Sequence, residues 1–396
     1  MMQLTYALIT PYTIRKSRTG AVLSRLLGRA KAELVCSRMF APDQELVRTF
    51  AESIGTVPDA RQEEYRRLIR EYILENFSPS PDGHPHRTLM LVFRGEDARE
   101  EIGEIIGRLR ISAVTGETVR DAYGDLVRNN DGSVRYFEPA VIIPDRDAVM
   151  SDDLECWLKL ADRQPEILEN VIEYAHPDKV QQTLVLLKPD SWRQSSSRPG
   201  AIVDMFSRTG LRIIGCKRVQ FSLNQALQFY GPVKQALCGK LAPGIGRKSR
   251  SILEQQFGIH LPEASEVCLE KEVGIPYAIN QFERIVEFMS GRRPSTCPAD
   301  LQDEPGTVKC MALVYEGEDA VAKIRDVLGP TDPTKAPLGT VRREFGSDVM
   351  VNTAHASDSP QNAEREMEIL RIKENTFADE VRTLLRETEH EHPAKP

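Results

Sequence analysis

The sequence predicts an α+β fold in which one antiparallel domain plan occurs twice, and two observations lead to it. The first is an internal repeat, in which segments of the N-terminal half return in the C-terminal half. The matched pairs are Tyr6–Pro11 with Leu184–Pro189, Gly20–Leu23 with Gly200–Val203, Leu91–Ala98 with Leu313–Ala320, and Thr118–Arg120 with Thr340–Arg342. The offset between Thr10 and Lys188 is 178 residues. This distance indicates a duplicated domain, because solenoid repeats are only ~20–50 residues long.

The second observation is the order of the elements predicted in the second copy. Apolar runs rich in β-branched residues predict strands, and helical periodicity predicts helices between them. The predicted strands include Thr183–Leu187, Leu211–Val219 and Met311–Tyr315, and the predicted helices include Ala201–Phe206 and Ala320–Val327. Without the extra helices between the second and third strands, the order is βαββαβ. This is the ferredoxin-like plan, an antiparallel sheet with helices packed on one face.

The repeat also divides the chain into segments. We expect a first domain over residues 1–145, a helical linker over 146–178, a second domain over 179–372 and a charged C-terminal tail over 373–396. The charges of the tail predict a solvated helix that frays at its end.

Composition limits the class of protein. The 396 residues are 40% hydrophobic and 28% charged, which is ordinary for soluble globular domains. A net charge of −7 argues against nucleic acid or an anionic membrane as the main partner. No apolar run approaches the ~20 residues that span a bilayer, and a secretion signal is not recognisable, so we expect a cytoplasmic protein. The seven cysteines lack a C-x-x-C pair, which predicts reduced thiols rather than disulfides or a zinc site.

One histidine stands at a position suited to chemistry. His355 ends a short apolar run and is followed by Asp358, Ser359 and Pro360, residue types that begin a helix. The predicted helix carries Glu366 about two turns in, within reach of the imidazole. A histidine held by a carboxylate has a fixed tautomer and higher basicity, which a nucleophile needs. A capped turn without catalytic role is the alternative interpretation of the same pattern.

Further polar motifs accompany His355 through the second copy. They are Lys188-Pro189-Asp190, the helix between Gly317 and Gly329, Thr331-Asp332-Pro333, Gly339-Thr340-Val341-Arg342 and the segment from Asn352 to Ser359. In this order and spacing they resemble the nucleoside diphosphate kinase family. The resemblance spans most of residues 181–372 and is free of gaps from Glu316 to Glu366. Agreement of many separate polar positions is a far more specific signal than a single glycine-rich loop.

The resemblance implies a role for each matched residue. His355 would be the phosphorylated residue, steadied by Glu366 with Ser357 beside it. Phosphate contacts would come from Lys188, Arg325, Thr331 and Arg342, and Ile285 would add to the nucleotide site. Tyr230 and Asn352 would orient the reacting group and the sugar. Mg²⁺ would enter bound to the nucleotide phosphates rather than in a site of the protein.

The second copy also departs from the family pattern. Ala356 replaces a glycine, Arg343 and Glu344 replace a Gly-Asp pair, and Gln281 stands where an aromatic ring normally stacks on the base, although Phe282 is adjacent. Compared with the family, the chain has insertions near 231–280 and 291–309. These are interpreted as surface loops that the core tolerates, or as lids or partner surfaces.

The first copy is predicted to be catalytically inactive. Thr10 and Gly103 stand at the positions of Lys188 and Arg325, and its last segment has no histidine, although Arg120 and Asn130 match Arg342 and Asn352 at fixed offset. We expect this copy to pack on the active one as a pseudo-dimer, replacing the second subunit of the family's usual dimer. Further oligomerisation is left open.

Three functions remain for the whole chain. The first is a nucleoside diphosphate kinase that exchanges γ-phosphates by a ping-pong route through phospho-His355. The second is a catalytically impaired nucleotide-binding module that acts through a protein partner. The third is a phosphorelay that passes phosphate to another protein. The complete charged set of the second copy favours the first, since binding alone does not require His355 together with Glu366.

Overall fold

Each repeat forms a four-stranded antiparallel sheet, as seen in a computed structural model that describes residues 2–108, 116–144, 150–169 and 171–390. The elements of the first repeat are β1 (Met2–Ile9), α1 (Pro11–Arg15), α2 (Thr19–Arg29), β2 (Glu33–Phe40), α3 (Gln44–Ser53), α4 (Ala60–Asn76), β3 (Thr88–Glu96), α5 (Ala98–Ile106), α6 (Val119–Tyr123), β4 (Asp125–Arg128), β5 (Val134–Glu138) and β6 (Val141–Ile142). Helix α7 (Met150–Arg163) follows within the predicted linker.

The second repeat contains the same order with additional helices. Its elements are β7 (Val180–Leu187), α8 (Arg198–Ser207), β8 (Arg212–Val219), α9 (Leu223–Phe229), α10 (Gly231–Phe257), α11 (Ala264–Leu269), α12 (Ile275–Ser290), β9 (Cys310–Glu318), α13 (Ala320–Leu328), α14 (Val341–Phe345), β10 (Ala354–Ala356) and α15 (Pro360–Ile369), and the last helix is α16 (Phe377–His390). None of the helices in the described ranges is long and apolar enough to cross a membrane.

The two sheets have equivalent topology. Their strand orders are β2-β3-β1-β6 and β10-β7-β9-β8, so in both sheets the first and third strands lie at the centre. These central strands pair antiparallel, with Tyr6 opposite Val92 in the first sheet and Leu184 opposite Val314 in the second. The predicted α+β class with two ferredoxin-like sheets is confirmed.

The chain forms two compact units, which do not follow the repeat. The first unit consists of Met1–Arg218 with Met311–Pro396 and holds both sheets, and the second is Val219–Cys310. The boundaries expected from the repeat stay a prediction.

An aromatic core covers the first sheet and extends into α7 and α16. The Trp157 ring of α7 is fully buried and meets Phe40 and Phe50 edge to face, at centroid distances of 5.2 Å each. Phe377 and Val381 of α16 are buried in the same cluster. The expectation of a solvated tail helix was therefore wrong for the face that carries Phe377, Ala378 and Val381, because this face of the charged helix is apolar and packed. Residues 391–396 of the predicted tail lie outside the described residues.

Helices α2 and α8 cross at two glycines that the repeat places at matched positions. A methyl group on Gly20 would lie 2.2 Å from the backbone nitrogen of Asp204, and one on Gly200 would lie 2.1 Å from that of Ser24. Both distances are shorter than any real carbon contact, so only glycine permits this approach of two helix backbones. The crossing joins the first repeat to the second.

The second unit is a helical insertion formed mainly by α10 and α12. Gly274 approaches α10 so closely that a methyl group there would lie 2.3 Å from the carbonyl oxygen of Ala242. A π-helical turn, Glu270–Gly274, joins α11 to α12. Helices therefore account for most of the segment that was assigned to the insertion near 231–280.

Candidate active site

His355 is the middle residue of β10 and lies opposite Leu186 of β7. Its ring is partly exposed, and Nε2 lies 2.9 Å from Oε2 of Glu366. The predicted approach of this carboxylate to the imidazole is confirmed.

The local sequence explains how α15 brings Glu366 to the ring. Ser359 is the N-cap, whose side chain accepts a hydrogen bond from the Asn362 amide, and Pro360 occupies the first turn as predicted. Ala363 and Met367 are buried on the same side as Glu366. The apolar face of the short helix thus holds a carboxylate at the edge of the sheet.

Ser357 completes this group. Its buried hydroxyl donates to the same Glu366 oxygen at 2.6 Å. The carboxylate orients both neighbours, and a ring that donates from Nε2 carries its lone pair on Nδ1. In the tautomer that donates to Glu366, Nδ1 is therefore the ring nitrogen that carries the lone pair.

Lys188 and Asn352 form a second group at the end of β7. The buried ammonium of Lys188 donates to the Asn352 side-chain oxygen at 2.7 Å, and the amide nitrogen of Asn352 donates to the carbonyls of Thr331 and Val349. The backbone of Thr353 lies in the left-handed region, with φ of +66°, and its carbonyl accepts from the Lys188 amide. Asn352 therefore links the predicted phosphate lysine to the loop that contains Thr331.

Asp190 is a further member of this group that the sequence reasoning left without a role. Its carboxyl is almost fully buried, with Arg198 at 3.5 Å. Burial raises the pKa of Asp190, and the positive charge of Lys188 opposes this rise. The signal for it was its place directly after Lys188-Pro189.

The predicted arginines occupy different environments. Arg325 is exposed on α13, and its charge contributes, after the hydrogen bond from Asn362, to lowering the pKa of Asp358. Arg342 of α14 donates to the carbonyls of Gly329 and Ala354, at 2.9 and 3.2 Å. It thereby ties β10 to the loop after α13. Thr331 is exposed in that loop.

Tyr230 and Ile285 belong to the second unit. Tyr230 is buried between α9 and α10, with its ring tilted against that of Phe229 at 5.0 Å. Ile285 is half-buried on α12. The neighbouring Phe282 is buried with Val286 on the apolar face of α12, and Lys234 lies over its ring. Phe282 is therefore a ring of the helical core. Whether a side chain at position 281 or 282 stacks on a nucleotide base stays a prediction.

The first repeat has different residues at the positions that correspond to this site. Ile142 of β6 pairs with Leu8 of β1, the position equivalent to Leu186 opposite His355, so Ile142 is the counterpart of the histidine. Arg120 donates to Gly107 and Val141 as Arg342 does to Gly329 and Ala354. This shared contact is structural, because it persists in a repeat without the histidine.

The fixed-offset match of Asn130 to Asn352 was wrong. The first repeat has an extra β4–β5 hairpin before β6, and Asn130 lies exposed in its turn. Because of the hairpin, the offset that relates Arg120 to Arg342 no longer holds after residue 125. An alignment that keeps one constant offset therefore pairs Asn130 with the wrong residue.

In the first repeat, a buried carboxylate lies beside the residue that corresponds to Lys188. Glu138 accepts hydrogen bonds from Thr10, the counterpart of Lys188, and from the Tyr72 hydroxyl, at 3.0 and 2.6 Å. Burial raises the pKa of Glu138, although its hydrogen bonds oppose the rise. A negative group where the second repeat has an ammonium disfavours binding of phosphate.

Glu138→Gln is expected to be more stable than wild type at high pH, and the difference in the free energy of unfolding is expected to grow as pH increases. Because the folded-state pKa of Glu138 is raised, its contribution to stability is present at low pH and is lost as pH rises through that pKa. The check is urea unfolding of both proteins between pH 5 and pH 8. A stability difference independent of pH would contradict the expectation.

For the phosphoryl transfer that the resemblance implies, Glu366→Gln is expected to lower the rate by about tenfold to a hundredfold while the protein stays folded. The hydrogen bonds from His355 and Ser357 would both lose the assistance of the carboxylate charge. The measurement is the rate of γ-phosphate exchange between ATP and GDP. Glu364→Gln, exposed on the same helix, is the matched control and should retain the wild-type rate. Equal rates in the two variants would show that the Glu366 charge is not used.

Within the described part of the chain, no group of three or more His, Cys, Asp or Glu side chains could hold a metal ion. The candidate phosphate contacts are instead cationic or amide groups, namely Lys188, Arg325, Arg342 and Asn352. Such a set suits phosphate oxygens rather than a cation.

Comparison with known proteins matches the part of the chain that carries this site. A family model described as nucleoside diphosphate kinase matches residues 300–375. The nucleoside diphosphate kinase of Cereibacter sphaeroides is 30% identical over 188 residues, which are 48% of this chain and 91% of the relative. That of Halorhodospira halophila is 30% identical over 189 residues, with the same two coverages. A solved structure of the Aquifex aeolicus enzyme aligns at 26% identity over 48% of this chain and 94% of its own, with a TM-score of 0.29.

Proposed function

This chain belongs to the nucleoside diphosphate kinase family, and from this premise we propose that it transfers the γ-phosphate of a nucleoside triphosphate to a nucleoside diphosphate through phospho-His355. The observation that carries the proposal is the contact of His355 Nε2 with Glu366, whose oxygen also accepts from Ser357. A binding module has no need for an imidazole held in one tautomer beside a buried carboxylate.

The transfer takes place in two balanced steps. In the first, the Nδ1 lone pair attacks the γ-phosphorus, the bond from phosphorus to the bridging β-phosphate oxygen breaks, and the nucleoside diphosphate leaves. In the second, a terminal β-phosphate oxygen of the acceptor diphosphate attacks the same phosphorus and the N–P bond breaks. The Nε2 hydrogen stays hydrogen-bonded to the Glu366 carboxylate throughout, so no net proton transfer is needed.

The charged residues would stabilise the transferring group. Lys188 with Arg325 and Arg342 would meet the charge on the phosphate oxygens, since the protein contributes mainly positioning and electrostatics to phosphoryl transfer. Thr331 would contact the phosphates from its loop, and Asn352 would place both that loop and the Lys188 ammonium. The family resemblance assigns Tyr230 to orienting the reacting group and Ile285 to nucleotide binding. Mg²⁺, bound to the nucleotide phosphates, would neutralise part of their charge.

We further propose that the first repeat replaces the second subunit of a dimer. The support is the crossing of α2 and α8 at matched glycines, with Ser24 donating to the Ser197 carbonyl and Ser195 to that of Ala30. The first repeat has Ile142 at the position of His355, and Glu138 lies beside Thr10, the counterpart of Lys188. A packing role is therefore proposed for this repeat.

Labelling with γ-labelled ATP in the absence of acceptor tests the kinase. The expected result is one acid-labile, base-stable phosphate per chain that transfers to added GDP. Binding of ATP without labelling would refute the kinase and leave the nucleotide-binding module. A label that transfers to another protein but not to GDP would favour the phosphorelay.

A further inference from the structure

A cavity of about 340 Å³ lies between the two repeats, inside the first unit and apart from His355. Its walls are the end of α1, the first turn of α2, the segment His84–Arg87, helix α8 and the start of β8. We call it the inter-repeat cavity. Lys188, Asn352 and His355 do not line it, so the cavity is separate from the site of the proposed kinase.

The lining is cationic. Three arginines and two histidines face the cavity, and no Asp or Glu is found among the described residues that line it. The cationic residues are Arg15, Arg87 and Arg212, and the imidazoles of His84 and His86 lie among them. Arg15 is exposed at the rim, and the other four are half-buried. Three arginines without a carboxylate in the described lining of a partly enclosed space attract an anion.

Arg87 and Arg212 are adjacent and held by the backbone. Arg87 donates to the Ile213 carbonyl and Arg212 to that of Gly210. Burial, followed by the like charge of Arg212, lowers the pKa of Arg87 to about 10, while Tyr174 and Glu316 oppose the shift. The Glu316 carboxylate, which opposes this shift, also accepts hydrogen bonds from Tyr174 and Gln182. Its negative charge is therefore not available to Arg87 alone. The guanidinium group of Arg87 therefore stays charged at neutral pH.

Apolar side chains from both repeats form much of the remaining wall, beside the hydroxyl groups of Ser17, Thr19 and Ser207. Ile14 from the first repeat and Val203, Leu211 and Tyr315 from the second line it. Its volume falls in the ~300–1,000 Å³ range of small-molecule sites, which combine apolar walls with a few polar anchors. The planar guanidinium group matches the geometry of phosphate oxygens.

We propose that the inter-repeat cavity binds a phosphorylated small molecule, with its phosphate between Arg87 and Arg212 and its less polar part against Val203 and Leu211. Because both repeats contribute walls, the ligand bridges them. A ligand there would stabilise the packing of one repeat on the other, since it binds only when the two are together.

The test is isothermal titration of the full-length protein with two probes, pyrophosphate and AMP. All proteins carry Lys188→Met, which weakens the proposed nucleotide site. Arg87→Gln with Arg212→Gln is expected to reduce the affinity for the better probe at least about tenfold, because charge-assisted hydrogen bonds are lost. The matched control is Arg48→Gln with Arg67→Gln, which removes the same charge from exposed positions and should change nothing. If the cavity double variant does not fold, Arg212→Gln alone serves.

The two probes distinguish the source of the phosphate. Tighter binding of AMP identifies a nucleotide-like ligand, and tighter binding of pyrophosphate identifies a free polyphosphate. The inference is overturned if neither probe binds the Lys188→Met protein, or if the cavity variant binds as the control does. Phosphohistidine labelling of the cavity variant without Lys188→Met should equal wild type, so failure of the kinase proposal and failure of this one are separable.

Discussion

His355→Ala is expected to abolish phosphoryl transfer, lowering the exchange of γ-phosphate between ATP and GDP by at least about 10⁴-fold, because the ping-pong route has no intermediate without its nucleophile. Nucleotide affinity should change little, since the proposed phosphate contacts come from other residues. The checks are steady-state exchange, γ-phosphate labelling and nucleotide titration on the same preparations. The ring is partly exposed at the sheet edge, so its loss should leave the fold intact.

His176→Ala is the matched control for this variant. His176 is exposed in the segment before β7, so its removal deletes an imidazole without touching the site. It should label and exchange as wild type. Labelling that survives in His355→Ala would place the phosphate on another residue and refute the mechanism.

Gly200→Ala is expected to destabilise the protein by about 3 kcal/mol or more. The added methyl group would lie 2.1 Å from the backbone nitrogen of Ser24, and neither helix can yield without moving a repeat. Overpacking of side chains typically costs ~1–3 kcal/mol, and here the obstacle is backbone. The free energy of unfolding from urea titration measures this loss.

Gly239→Ala in α10 is the control with the same chemistry. A methyl group at Gly239 meets nothing within 4 Å, so the substitution should stabilise the helix by ~0.5–1 kcal/mol. A loss of stability at Gly200 together with a gain at Gly239 would show that the close helix crossing, and not the intrinsic preference of helices for alanine, determines the effect at Gly200. If Gly200→Ala did not change the free energy of unfolding, the backbones of α2 and α8 could not be in direct contact at this glycine.

Local patterns in the sequence predicted the fold class and the reactive group. The repeat and the alternation of apolar runs predicted two equivalent antiparallel sheets, because strand and helix periods are local properties. The capping residues Ser359 and Pro360 predicted the start of α15, and the helical spacing then brought Glu366 to His355. The roles of the other matched residues stay predictions that rest on the family resemblance.

The sequence by itself determined the order of elements and the pairing of His355 with Glu366, since both depend on residues close in the chain. Only the tertiary structure decided the rest. An extra hairpin moved Asn130 out of register, one apolar face turned the charged tail into a packed helix, and Glu138 met Thr10 across 128 positions. The glycine crossing and the cationic cavity also arise between repeats. Such contacts join distant segments, and spacing along the chain carries no measure of their distance in space.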